Sequence, residues 1–283
     1  MLSLDSSLVD VAWLNANLAC EQLIILDASV IPVVPGYVSI NSGEDFRSIP
    51  GGRRFDYDAK ICDSNAVLPH MMPGVAFFQQ QVRELGINNN SVIVIYDDVG
   101  IYASPRAWWM LKSMGHAQVA VLDGGLPSWC EAGFAVDSTL CQRGWEEGDF
   151  LADYDSELFS DATAVMAALD NTQCRVMDAR SAARFAALAP EPRPGVRGGH
   201  MPNAINLPFG ELLSAGKMKP RPQLKPIFDA LVQDRERLIF SCGSGLTACV
   251  LALAADLLGY SKLSVYDGSW SEWGADERYP VVS

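Results

Sequence analysis

Short apolar runs and longer apolar segments of helical length alternate along the chain. Runs such as 92–95 and 238–240 predict buried strands. Residues 246–258 form an alanine-rich apolar stretch that is long enough for a helix and ends at Gly259. This alternation is typical of an α/β fold, in which helices flank a parallel sheet.

The same pattern of elements occurs twice, at a constant offset of 144 residues. Residues 119–129 match residues 263–273, since both contain an apolar run, an Asp-Gly pair and a closing tryptophan. Gly115 and Gly259 lie at the same offset. An internal repeat of this kind predicts two similar domains in tandem.

We predict an N-terminal domain over 1–140, a linker over 141–160 and a C-terminal domain over 161–283. The linker segment is polar and acidic and shows little periodicity. Each domain is expected to be a parallel sheet flanked by helices, so that ligands bind at the carboxyl ends of the strands. A chain of 283 residues, 49% of them hydrophobic, has room for two such cores.

The charge and hydropathy of the chain disfavour several classes of partner. A formal net charge of −13 at pH 7 argues against nucleic acid, because affinity for the phosphate backbone comes mainly from basic residues. No apolar run approaches the roughly 18 residues that indicate a membrane span. The N-terminal Met-Leu-Ser-Leu-Asp lacks the basic start and apolar core of a signal peptide. We therefore expect no membrane partner and a cytoplasmic location.

The residue types that bind metals are few or scattered. Seven cysteines, at positions 20, 62, 130, 141, 174, 242 and 249, include no C-x-x-C pair. Their odd number and wide spacing argue against a disulfide framework or a zinc site. None of the three histidines has a partner at metal-ligand spacing. We predict no metal site.

Cys242 lies in a turn between the strand predicted at 238–240 and the helix predicted at 246–258. Gly243 and Gly245 let the backbone curl so that successive N–H groups point inward, and the helix adds the positive end of its dipole. A concavity of this kind holds an anion. If the anion is the sulfur of Cys242, the thiolate is favoured over the thiol, and the residue becomes a nucleophile.

Two other interpretations compete with a nucleophilic Cys242. Free cysteine is among the most buried residue types, so a structural core residue is the ordinary expectation, but the glycine spacing argues against it. A cysteine phosphatase requires an arginine six positions after its nucleophile to bind phosphate. That position is Ala248, which excludes the phosphatase.

Residues 242–248, Cys-Gly-Ser-Gly-Leu-Thr-Ala, resemble the active-site loop of the 3-mercaptopyruvate sulfurtransferases, the two-domain branch of the rhodanese superfamily. The resemblance extends over nearly the whole chain and implies two rhodanese-like α/β domains. Where the repeat places Cys242 in the second domain, the first has Tyr96-Asp97-Asp98, so we expect the first domain to be catalytically silent. The resemblance implies no cofactor.

The resemblance also implies the other site residues. Segments 55–58 and 68–73 resemble those that carry two site residues in the family, which makes Asp58 and His70 partners of Ser244 in a proton relay across the domain cleft. Arginines that match Arg184 and Arg193 hold the substrate carboxylate, since a guanidinium binds a carboxylate through two parallel hydrogen bonds. The loop residues expected to bind the donor are Gly243, Gly245, Leu246 and Thr247.

These residues predict a sulfurtransferase in which Cys242 takes the sulfur of 3-mercaptopyruvate as a persulfide and releases pyruvate. Cyanide, a small thiol or reduced thioredoxin then accepts the sulfur. The nearest alternative is a thiosulfate:cyanide sulfurtransferase, but those enzymes carry basic residues where this chain has Gly243 and Ser244. The second alternative is a non-enzymatic rhodanese-like module that binds a partner protein, which the intact loop and the two matching arginines disfavour.

Overall fold

A computed structural model describes residues 2–142 and 144–283, and these residues form two compact units. The first unit consists of the chain up to Ser64, Met72–Tyr154 and Ala215–Met218. The second consists of Asn65–Met71, Asp155–Ser214 and Lys219–Ser283. The segment predicted as a linker, 141–160, therefore divides between Tyr154 and Asp155, and each part packs with its own unit.

The sheet of the first unit has five parallel strands in the order β1-β5-β4-β2-β3. The strands are β1 (Leu8–Val9), β2 (Leu23–Asp27), β3 (Arg53–Arg54), β4 (Val92–Tyr96) and β5 (Val119–Leu122). Every residue of β4 is buried, as expected for the central strand of a parallel sheet whose two faces are covered.

Three helices connect these strands, and a fourth follows β5. They are α1 (Val11–Asn17), α2 (Val75–Glu84), α3 (Ser104–Ser113) and α4 (Gly125–Glu131). The Asp10 carboxylate caps α1 by accepting a hydrogen bond from the Trp13 N–H at 2.7 Å. Helix α3 follows the central strand β4 and is buried at nine of its ten residues. The polar loop between β4 and α3 is thus held by apolar elements on both sides.

The second unit repeats this arrangement. Its strands are β6 (Phe159–Ser160), β7 (Cys174–Asp178), β8 (Ile205–Asn206), β11 (Arg237–Ser241) and β12 (Leu263–Tyr266). They form a parallel sheet in the order β6-β12-β11-β7-β8, which is the order of the first sheet. Two further strands of two residues each are β9 (Leu213–Ser214) and β10 (Lys217–Met218). The predicted α/β fold with two parallel-sheet domains is confirmed.

The helices of the second unit are α5 (Ala162–Leu169), α6 (Ala182–Phe185), α7 (Arg221–Val232), α8 (Ala248–Leu258) and α9 (Ser269–Trp273). Helix α8 follows the central strand β11 and is buried over Ala248–Ala255. Gly259 ends α8 in the left-handed conformation, φ +92°, which glycine adopts without a steric penalty. Among the described residues, no helix combines the length and the hydrophobicity that crossing a membrane requires.

Candidate active site

Cys242 lies at the carboxyl end of β11, where the central strand of the second sheet ends. The residue is 2% exposed and opens a six-residue loop, 242–247, that leads directly into α8. Ser244, Leu246 and Thr247 are also buried. This position agrees with the general rule that ligands of parallel α/β sheets bind at the carboxyl ends of the strands.

The backbone of this loop offers several hydrogen-bond donors. Within the described part of the chain, the N–H groups of Gly243, Ser244, Leu246 and Thr247 donate to no acceptor of the protein. Gly245, which lies between Ser244 and Leu246, has φ +73°, a left-handed conformation that turns the chain at this point. Because buried N–H groups require an acceptor, and α8 adds the positive end of its dipole, the loop is suited to bind an anion.

The Arg184 guanidinium lies beside this loop. Its Nη2 atom is 3.3 Å from the position that a β-carbon at Gly243 would occupy. Arg184 also forms a bidentate ion pair with Glu191, in which Nη2 bonds Oε2 and Nε donates to Oε1 at 3.2 Å. The guanidinium is thus oriented toward the loop by a carboxylate that neutralises part of its charge.

Glu191 is shared with a second arginine. Arg180 donates to Glu191 Oε1 at 2.8 Å and to Asp178 Oδ2 at 2.7 Å, and its guanidinium lies 4.1 Å from the centre of the Trp270 ring. Burial lowers the pKa of Arg180, but Asp178 and Glu191 outweigh it and raise the pKa above its ordinary value. Arg180 is therefore a permanent cation that holds the two carboxylates in place.

Arg193 differs from Arg184 in its partners. Its Nη1 donates to Ser271 Oγ at 3.3 Å. Across residues 2–142 and 144–283, no carboxylate forms a salt bridge with Arg193. Of the two arginines predicted to hold a substrate carboxylate, Arg193 is the one whose charge is not already balanced.

Asp58 and His70 fall in different units. His70 lies in Asn65–Met71, which packs with the second unit, as Cys242 does. It is half-buried and has φ +61°, which is unusual for a residue other than glycine. Asp58 is exposed and belongs to the first unit, where its backbone carbonyl lies 3.5 Å from Cys62 Sγ. Their predicted roles in a relay stay predictions.

Comparison with known proteins identifies the domains. The rhodanese-like domain family matches the chain twice, at residues 10–132 and 161–276. The chain belongs to the rhodanese family. Each matched segment contains one of the two parallel sheets, apart from the first strand of each.

Full-length relatives of this rhodanese chain are sulfurtransferases. It is 38% identical to 3-mercaptopyruvate sulfurtransferase of Escherichia coli K12 over 95% of both chains. It is 34% identical to thiosulfate/3-mercaptopyruvate sulfurtransferase 1 of Arabidopsis thaliana, covering 100% of this chain and 79% of the relative. The crystal structure of SseA from Escherichia coli matches with a TM-score of 0.79 and 33% identity over 94% of this chain and 99% of that one. The predicted resemblance to the two-domain rhodanese superfamily is confirmed.

The first rhodanese domain carries an acidic pair where the second has Ser241 and Cys242. The Asp97 carboxylate is fully buried and accepts hydrogen bonds from five backbone N–H groups and one hydroxyl, at 2.7–3.1 Å. The donors are the N–H groups of Val99, Gly100, Tyr102, Ala103 and Ser104, and Ser104 Oγ. This loop is filled by its own side chain.

Sequence reasoning missed two parts of the site. The first is Glu191, which lies between the two predicted arginines in the chain and pairs with one of them. Its acidic character next to arginines was the available signal. The second is the segment Ser269–Ser271, whose hydroxyl groups contact the Cys242 loop. The repeat aligns this segment with Gly125–Pro127, and that difference in residue type was visible in the sequence.

Proposed function

We propose that the protein transfers the sulfur of 3-mercaptopyruvate through a persulfide on Cys242. The observation that carries this proposal is the set of N–H groups around Cys242 that have no acceptor among the described residues. In the first domain, the matching stretch of backbone binds a carboxylate. A loop of this kind next to a cysteine stabilises the negative charge of a thiolate or a persulfide.

The reaction balances in two steps. The Cys242 thiolate attacks the sulfur of 3-mercaptopyruvate, so that an S–S bond forms and the C–S bond breaks. The electron pair of the C–S bond passes to carbon, and the resulting enolate takes up one proton to give pyruvate. In the second step the acceptor attacks the outer sulfur of the persulfide and leaves Cys242 as a thiolate. The loop N–H groups stabilise the charge on sulfur in both steps.

Arg193 and Arg184 are proposed to bind the carboxylate of the donor with unequal contributions. Arg193 has no carboxylate partner among the described residues, so its charge is available for an anionic substrate. Arg184 lies beside Gly243 but is already paired with Glu191. We therefore assign the carboxylate mainly to Arg193, and to Arg184 a supporting role beside the loop.

Ser244, His70 and Asp58 are proposed to deliver the proton that the enolate requires. Histidine titrates near neutral pH, and a carboxylate partner fixes its tautomer, which is the logic of a Ser-His-Asp relay. Support for these residues comes from the sequence resemblance around 55–58 and 68–73 and from the burial of Ser244 beside Cys242.

A small thiol, reduced thioredoxin or cyanide is proposed as the sulfur acceptor, with the cytoplasm as the location. None of the seven cysteines forms a disulfide within the described part of the chain. A reducing compartment keeps such thiols available for persulfide chemistry. This supports a cytoplasmic site of action.

The alternative donor is thiosulfate, which brings two negative charges into the loop. Gly243 and Ser244 supply no cation, and the nearby Arg184 is paired with Glu191. The loop therefore offsets less of the desolvation cost of a dianion than of a monocarboxylate. We expect kcat/KM for mercaptopyruvate to exceed that for thiosulfate by roughly two orders of magnitude, which corresponds to about 2.7 kcal/mol.

The deciding experiment combines two measurements. Incubation with mercaptopyruvate and no acceptor should add about 32 Da, one sulfur atom, to the peptide that contains Cys242, the cysteine that the loop activates. Initial rates of pyruvate release from mercaptopyruvate and of thiocyanate formation from thiosulfate then give the donor preference. Cys249→Ser serves as the matched control, because Cys249 is buried in α8 and its thiol contacts the Gly245 carbonyl at 3.3 Å. Sulfur on another cysteine, or transfer by Cys242→Ser, would contradict the proposal.

A further inference from the structure

Ser269, the first residue of α9, has a strained backbone. It is fully buried and has φ +50°, in the left-handed region that a residue with a β-carbon adopts only with steric strain. The repeat aligns it with Gly125 of the first domain, which has φ +53°. Glycine therefore satisfies the same backbone conformation without strain. The presence of serine and not glycine at position 269 must therefore be explained by the contacts of its side chain.

The Ser269 hydroxyl connects β12 to Cys242. Its oxygen accepts a hydrogen bond from the Cys242 N–H at 3.1 Å and donates its own proton to the Tyr266 carbonyl at 2.8 Å. Because the proton is committed to Tyr266, a lone pair of the oxygen faces Cys242. The hydroxyl thus fixes the peptide group that precedes the nucleophile.

The next two residues hold the peptide groups that follow Cys242. The Trp270 N–H donates to the Cys242 carbonyl at 3.0 Å, and Ser271 donates to the Gly243 carbonyl through N–H at 2.8 Å and Oγ at 2.5 Å. In a trans peptide the C=O and the following N–H point in opposite directions. Holding these two carbonyls toward α9 therefore turns the N–H groups of Gly243 and Ser244 away from α9, and both belong to the donors without an acceptor.

Ser271 also connects the loop to Arg193. The Ser271 oxygen accepts from Arg193 Nη1 at 3.3 Å while its proton goes to the Gly243 carbonyl. A charged donor polarises the hydroxyl and strengthens the bond that the hydroxyl donates. The orientation of Gly243 thus depends on the arginine to which we assign the substrate carboxylate.

We infer that Ser269 and Ser271 are positioning residues for sulfur transfer: Ser269 holds the backbone of Cys242, and Ser271 joins the Gly243 peptide to Arg193. This inference rests on the proposed function for its consequence in catalysis. The first domain lacks both devices, since Gly125 has no side chain and Pro127, which aligns with Ser271, has neither an N–H nor a hydroxyl group.

The test uses Ser269→Gly and Ser271→Ala. Ser269→Gly removes the hydroxyl and also the strain, so it keeps the backbone conformation while releasing the Cys242 N–H. We expect kcat with mercaptopyruvate to fall about tenfold in each variant, the effect of losing one hydrogen bond of about 1.4 kcal/mol. KM should stay near that of the wild type in Ser269→Gly and rise in Ser271→Ala, because only Ser271 contacts Arg193. Ser271→Thr, which retains a hydroxyl, should recover most of the loss.

A second readout is the rate at which iodoacetamide alkylates Cys242, measured by peptide mass spectrometry. We expect it to fall in parallel with kcat, because the loop N–H groups that stabilise the thiolate lose their orientation. Ser113→Ala is the control: Ser113 is a fully buried serine of α3 whose hydroxyl donates to the Met110 carbonyl at 2.8 Å. Thermal unfolding identifies any variant that does not fold. If Ser269→Gly is one of these, the comparison of Ser271→Ala with Ser271→Thr decides whether the inference holds.

Wild-type kcat, KM and alkylation rate in folded Ser269→Gly and Ser271→Ala would overturn the inference. The alkylation rate does not depend on which donor the enzyme uses, so it separates this inference from the proposed function. A different result would separate the two claims. If the Ser269 and Ser271 variants alkylate more slowly but Cys242→Ser still transfers sulfur, the positioning inference holds and only the proposed function is refuted.

Discussion

The loop that follows β4 covers residues 97–103, the loop that follows β11 covers residues 242–247, and each leads into a buried helix. In the first, the Asp97 carboxylate takes up the N–H groups of the loop. In the second, the N–H groups of Gly243, Ser244, Leu246 and Thr247 find no acceptor among the described residues. One loop binds its own carboxylate, and the other has backbone donors that no protein group among the described residues occupies. The comparison shows that Asp97 fills the backbone donors of the first loop, whereas the second loop, with Ser241 at the matching position, keeps four of its donors open.

The two loops also turn at different places. Gly100 has φ +130° in the first loop, while in the second the positive φ falls at Gly245, one position later in the repeat. The first loop therefore curls around the side chain of Asp97, the residue that follows β4, and the second loop follows Cys242, the proposed nucleophile. The two loops therefore differ in backbone path as well as in residue type.

The largest effect is expected from Asp97→Asn. The amide has one acceptor atom where the carboxylate serves six donors, so several buried N–H groups lose their partner. We expect the free energy of unfolding to fall by about 3–5 kcal/mol, because each buried N–H that loses its acceptor costs about 1–3 kcal/mol. Urea unfolding measures this, with the exposed Asp137→Asn as control. A loss equal to that of the control would show that the carboxylate does not hold the loop.

The reciprocal change is Ser241→Asp, which puts a carboxylate at the repeat position of Asp97. If it occupies the N–H groups of the second loop, sulfur transfer should fall by at least about 100-fold in kcat/KM, or about 2.7 kcal/mol. Ser241→Asn has the same size without the charge and should lose much less. Steady-state kinetics with mercaptopyruvate compare the two, after thermal unfolding has established that both fold. If Ser241→Asp and Ser241→Asn lose equal activity, the cause is the larger side chain at this fully buried position and not its charge.

Arg193→Ala is expected to have the next largest effect. Losing one charge-assisted hydrogen bond costs roughly 1.5–3 kcal/mol, which lowers kcat/KM for mercaptopyruvate by about tenfold or more. Arg193→Lys should recover only part, because lysine cannot form two parallel bonds to a carboxylate. Arg184→Ala should also lower the melting temperature, since it removes one of the two arginines bonded to the buried Glu191 carboxylate. The assignment fails if Arg193→Ala retains wild-type kinetics.

The smallest effect concerns Asp98, which aligns with Cys242. Burial raises the pKa of Asp98, the Ser39 hydrogen bond lowers it, and Asp97 and Asp27 raise it, so that the pKa lies above its ordinary value. The Asp98 Oδ1 atom has no hydrogen-bond partner among the described residues. Folding therefore favours protonation of Asp98 relative to the unfolded chain.

Asp98→Asn should stabilise the protein in a pH-dependent way. The stability that protonated Asp98 contributes is fully present below the unfolded pKa, about 3.9, and is lost as pH rises through the raised folded pKa. Asparagine does not ionise, so the advantage of the variant should grow from about pH 4 toward neutrality and stay within about 1 kcal/mol. Urea unfolding at several pH values gives the slope. If the stability advantage of Asp98→Asn shrinks as pH rises, the pKa of Asp98 in the folded protein is not raised as we assign it.

The two sheets of this protein are predictable from its sequence, but the side-chain contacts of the candidate site are not. Apolar runs and the 144-residue offset predict both sheets, because strand burial and repetition are local or periodic signals. Strand β6, Phe159–Ser160, falls inside the predicted linker since two residues give no periodicity. The pairing of Glu191 with Arg180 and Arg184 depends on how a loop folds back on α6, and the left-handed φ of Ser269 depends on its packing. Neither is encoded in a local pattern.

The packing around Gly125 limits how the first domain could change over time. A β-carbon at this position would overlap the carbonyl oxygens of Asp97 and Gly100, so a serine like Ser269 does not fit there. Replacing Asp98 by cysteine would restore a thiol, yet the Asp97 carboxylate would still occupy the loop. Building the second domain's arrangement in the first domain thus needs changes at several contacting positions. In evolutionary terms, no single substitution in the first domain produces the arrangement that surrounds Cys242 in the second.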